Sequence, residues 1–190
     1  MSPGRKRFSG VWLLAALVTG ASTAAGQSRE TFSATAVVET GGGGIAMAPL
    51  TVTIDRKMSH EEAGALMETF RAGGAAALRK ALEGVPSTGT LKLGAAAGTP
   101  TRLTLERATD TGRLLTIVTD TPILFVGAGA PSAKPRDGYD FAVLDLVVDA
   151  SGNGSGTLAP AARISVSGGA FVVADYGSAP VRLTEVRSIK

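Results

Sequence analysis

The sequence predicts a mainly β domain, an antiparallel sandwich or barrel of about eight or nine strands with one covering helix over residues 59–83. Three observations lead there. In most segments apolar residues recur at every second position, the period of a strand with one buried face. One stretch alone shows the 3.6-residue period of a helix. The connections between segments are short, which favours antiparallel neighbours over the long crossovers that parallel strands need.

The elements follow in order. Phe32, Ala34, Ala36 and Val38 alternate with Ser33, Thr35 and Glu39. Four glycines at 41–44 break that strand. Leu50, Val52 and Ile54, alternating with Thr51, Thr53 and Asp55, form the next, and the pair suits a hairpin. Ser59 is a good N-cap, and Glu62 three residues on completes a capping box. Ala63, Leu66, Met67 and Phe70 make an apolar stripe that Ala77, Leu78 and Leu82 continue. Gly73-Gly74 predicts a kink or a close packing point, and Gly84 suits a C-terminal stop. Strands are then expected at 89–94, 100–107, 113–119, 139–149, 157–167, 170–176 and 180–188, divided by turn signals such as Asp110-Thr111-Gly112 and Asn153-Gly154. Residues 139–148 are apolar on both faces and belong at the centre.

The N-terminus reads as a signal for export. Arg5, Lys6 and Arg7 precede the apolar run 11–18, and Ala24-Ala25-Gly26 fits the small-x-small cleavage rule. Residues 1–26 are thus expected to be removed before Gln27, leaving residues 27–190 as one domain in the periplasm or outside the cell. The apolar run is too short to span a bilayer, which takes about 20 residues, so no stable membrane anchor is expected after cleavage. All 16 acidic residues but only 16 of the 19 basic ones lie in 27–190, so that part carries no formal net charge. Its basic residues are scattered, whereas nucleic acid calls for a concentrated basic face; no nucleic-acid partner is expected. With 5% aromatic residues and its single Trp in the leader, the chain lacks the aromatic girdles of an outer-membrane barrel. It has no cysteine, so packing must hold it without disulfides.

Motifs for chemistry are weak. His60, the only histidine, stands at the start of the helix with no cysteine and no Gly-x-Ser-x-Gly elbow elsewhere. Asp149-Ala150-Ser151-Gly152-Asn153-Gly154 opens like an EF-hand loop, but Pro160 stands where the bidentate Glu belongs, so the segment reads as a hairpin turn. Gly127-Ala128-Gly129 is followed by Ser132 and by Pro131 and Pro135, which forbid the helix of a dinucleotide site. No metal and no cofactor are expected. Asp137 with Asp140, or Asp145 with Asp149, are the carboxylate pairs that a glycosidase-like hydrolase would draw on.

The expectation is an exported, non-enzymatic binding or assembly module for a small ligand or a protein; the alternative is an exported carboxylate-dependent hydrolase. Residues 127–138 form the longest stretch without helix or strand period, and loops of this length usually carry function or stay unstructured. Its polar handles, Lys134 and Arg136, and Tyr139 at its base are the candidate binding residues, with the 41–48 loop as the second place to look.

Overall fold

The structure is a computed structural model that describes residues 29–39, 43–123 and 136–189. The expected leader, Lys134 and the segment 124–135 lie outside them. Among the described residues ten strands and one helix follow each other in the order β1 (Glu30–Glu39), β2 (Ile45–Ile54), α1 (His60–Glu83), β3 (Gly89–Leu93), β4 (Thr99–Thr101), β5 (Leu103–Thr109), β6 (Gly112–Val118), β7 (Phe141–Val148), β8 (Gly154–Ser167), β9 (Ala170–Tyr176) and β10 (Val181–Ile189). All ladders are antiparallel, in the order β4-β3-β2-β1-β10-β8-β7-β6-β5, with β9 also paired to β8.

The extra strand comes from Arg102. It interrupts the expected strand 100–107, so that β4 pairs with β3 and β5 with β6. Arg102 N–H donates to the Val118 carbonyl (2.9 Å), and its guanidinium reaches Asp120 (2.8 Å) and the Val85 carbonyl (3.2 Å). Thr88 holds the inner side of this corner through its hydroxyl contacts with Thr101 (3.0 Å) and Thr104 (2.9 Å), all three fully buried. The two ends of the sheet are thus consecutive stretches of chain, yet they do not pair with each other, and the sheet is not closed into a barrel. A strand that changes sheets at a bend is the usual corner of a sandwich.

Two apolar layers result. One joins Phe32, Ala36, Leu50, Val52, Ile54 and Leu91 to Leu115, Ile117, Leu144, Leu146, Val181 and Leu183, so the sheet folds over on itself. The other lies beneath α1, where Leu66, Met67, Leu78 and Leu82 meet Leu103, Phe141, Val143, Ile164 and Phe171. Alternate residues of β7 serve both layers, as expected for the strand that reads apolar on both faces.

In α1 the capping box is complete: Glu62 N–H donates to Ser59 Oγ (3.1 Å) and Ser59 N–H to the Glu62 carboxylate (2.8 Å). The kink falls at Gly74, with φ +67° and ψ −159°. The helix stops at Gly84 as expected, and Gly84 holds a right-handed conformation, φ −84°. β2 starts at Ile45, so the second half of the expected 41–48 loop is strand.

Candidate functional site

The sequence-chosen residues meet only in part. Gly138 turns the chain so that Arg136 C=O accepts the Tyr139 N–H (3.0 Å). The Tyr139 ring is 4% exposed, with the Arg136 and Arg163 guanidiniums over it at 5.3 and 5.0 Å. Its hydroxyl donates to Asp175 on β9 (2.6 Å). That bond raises the phenol's pKa and lowers the carboxyl's, which also accepts the Tyr176 N–H. Tyr139 is therefore a buried anchor that pins 136–139 to β8 and β9, and Arg136 is the exposed member. Lys134 lies outside the described residues. Asp175 and Arg163 sit 36 and 24 positions along the chain, and no spacing signals them.

The densest polar constellation is a ring of alternating charges. Lys57 bridges Glu30 and Glu106, each at 2.5 Å, and Arg113 bridges the same two at 2.5 and 2.8 Å. The Arg113 guanidinium also lies 5.9 Å over the Phe32 ring. Burial raises the Glu30 and Glu106 carboxyls, but the hydrogen bonds and charges of Lys57 and Arg113 outweigh it and hold both below their ordinary values. The bases are held above theirs by the same contacts. With all four charges engaged, the ring ties β1 to β5 and β6 across the sandwich.

The carboxylate pairs fare as follows. Asp145 and Asp149 are four strand residues apart, about 13 Å, beyond the roughly 5–10 Å of a glycosidase pair. Asp145 accepts from Thr116 Oγ1 (2.6 Å), and burial pushes its carboxyl up. Asp149 caps its own hairpin turn by accepting the Ser151 (2.8 Å) and Asn153 (3.0 Å) N–H groups. Asp137 is exposed, while Asp140 pairs with Arg79 (3.3 Å) beside Glu83 and Asp120 in an open cleft of about 340 Å³. His60 is exposed at the first turn of α1.

A groove that sequence reading missed lies on the outer face of β1, β2 and β10. Val37, Ile45, Ala179 and Pro180 give it apolar walls, and Glu39, Thr157 and Arg182 supply polar groups, around a volume of about 430 Å³. Arg182 and Glu39 stand 4.0 Å apart and both are exposed, so neither is locked by the other. One signal was available. Ile45 and Met47 share the strand parity of Thr51 and Thr53, so they are apolar residues on the wet face, 68% and 65% exposed. No family model, curated protein or solved structure matches this chain.

Proposed function

We propose that this chain is an exported binding module that takes a small ligand with an aliphatic body and a polar end in the β1–β2–β10 groove. The charged, apolar and small-residue order of residues 1–26 supports export. The observation that carries the binding reading is the groove itself: aliphatic walls with a few convergent polar groups, the usual make-up of a ligand site. Arg182 supplies a cation for an anionic head, Thr157 a hydroxyl, and Val37, Ile45 and Pro180 the surface for the chain of the ligand.

Native mass spectrometry of the protein purified from its own host tests this. A bound small molecule is expected in the wild type and not in Ala179→Glu, which fills the groove with a charge at an exposed loop position. Retention of the molecule by the variant, or a wild type free of ligand, overturns the reading. The cleft lined by Glu83, Asp120 and Asp140 favours the second reading, a carboxylate hydrolase. Release of a chromophore from aryl glycosides by the wild type and not by Asp140→Asn would support it. Against it stand the ion pairs Asp120–Arg102 and Asp140–Arg79, which engage two of the three acids.

A further inference from the structure

β2 is flanked on both sides over only half its length. β1 accompanies it from Ile45 to Ile54, but β3 pairs with Leu50–Ile54 alone. Pro49 C=O accepts the Gly94 N–H (2.7 Å), and Asp55 N–H donates to Thr88 C=O (2.9 Å), both on the β3 side. Antiparallel alternation then points the N–H and C=O of every odd-numbered β2 residue that way. For Ile45 and Met47, no strand among the described residues stands there to receive them.

The other outer strands are guarded against added strands. β4 has three residues with Pro100 in the middle, β5 carries Glu106 and Arg107, and β9 carries Asp175. Shortness, proline and charge are the common means of protecting an edge. Residues 43–54 hold no charge at all, and the edge half of β2 presents two exposed aliphatic side chains instead.

We infer that the Ile45–Ala48 edge pairs antiparallel with the same edge of a second copy of this chain, with Ile45 opposite the second copy's Met47. Self-complementarity selects this occupant. About a two-fold axis at Ala46, the two outward-pointing residues of each copy exchange both their hydrogen bonds with those of the other. Ile45 and Met47 meet across the axis twice on the outer face, while Ala46 and Ala48 keep the inner face small. Pro49 falls opposite Gly43 and ends the ladder, since it has no N–H and its carbonyl is engaged. Centring on Met47 instead would set Ile45 against Pro49, and centring on Ile45 would set Met47 against Gly43; both registers lose apolar pairs. The paired surface is small beside the roughly 1,200 Å² of stable interfaces, so the dimer forms and dissociates with concentration.

Because the chain has no cysteine, an introduced one reports alone. Ala46→Cys places two thiols across a non-hydrogen-bonded pair with Cα atoms about 4.5 Å apart, within disulfide reach. Ala48→Cys, on the same face of the same strand, lies about 13 Å from its counterpart. Under mild oxidation Ala46→Cys is expected to form covalent dimer at least about tenfold faster than Ala48→Cys. Sedimentation of the wild type should show a monomer–dimer equilibrium that Met47→Lys abolishes with its circular dichroism unchanged. Ala179→Glu should still dimerise, whatever becomes of the groove reading. Equal cross-linking of the two cysteines, a monomer at every concentration, or a monomer carrying a foreign extended peptide on this edge would each overturn the inference.

Discussion

Glu30, Lys57, Glu106 and Arg113 neutralise one another at a place where none is fully exposed, and their behaviour with pH follows from that. Both carboxyls titrate below their ordinary range in the folded chain. Their contribution is therefore complete above the free glutamate value of about 4.3 and is lost as pH falls through the lower folded values. Lys57 and Arg113 titrate above theirs, so their share is present through neutral pH and is lost only in strong alkali. Arg113→Gln should cost about 1–2 kcal/mol at pH 7, reduced by solvent screening at these half-exposed groups. Urea midpoints measured at pH 7 and pH 3 should show the gap between variant and wild type closing in acid; a constant gap would mean that the ion pairs contribute nothing. At this scale the sequence was least legible. The Tyr139 hydroxyl meets Asp175 and its ring meets Arg136 and Arg163, and Asp175 and Arg163 are brought in by strands whose pairing no local pattern encodes. Gly177 packs so close to that ring that a Cβ would stand 2.8 Å from it, another contact with no trace in spacing.

The helix shows how one element can hold two glycines of opposite meaning. Gly64 has ordinary helical geometry and open space where a Cβ would go, so Gly64→Ala should stabilise the fold by about 0.5–1 kcal/mol. Gly74 also has room for a Cβ, but its φ of +67° with ψ of −159° is nearly closed to other residues. Gly74→Ala should therefore destabilise by about 1–3 kcal/mol although alanine is the better helix former. Thermal denaturation of the two variants checks both signs at once; a stabilised Gly74→Ala would place the kink's origin elsewhere. The capping box and the apolar stripe were readable because they are local, set by residues three and four apart. The start of β2 was not, since Ile45 and Met47 lie on the outward face, where apolar residues give no alternation with the threonines that follow. Nor was the break at Arg102, which is dictated by partners on β6 and before β3 rather than by its own neighbours.

At the scale of the molecule, β1 and β10, the first and last of the described strands, are neighbours in the middle of the sheet. β10 lies between β1 and β8, so it links the β1–β4 half to the β5–β9 half. Removing residues 181–190 should abolish cooperative unfolding altogether, because Val181, Leu183 and Val186 are buried in the layer between the halves. A truncated chain that melts in one sharp transition would contradict this. Period-2 alternation and short turns sufficed to read the antiparallel class, because those signals are carried by each strand separately. The strand order was hidden, since every wet-face threonine suits many neighbours equally well.

That same pairing governs how the domain would bear tension. Thr31, near the start of β1, faces Ile189 at the end of β10, so the start of the one strand and the end of the other lie side by side in the sheet. A force drawing them apart loads a single rung of the ladder at a time, and the strands peel open in sequence. Load along a strand must instead shear many rungs together. A domain tethered by these two ends is mechanically soft however stable it is to heat, and it yields first at the seam that holds its two halves together.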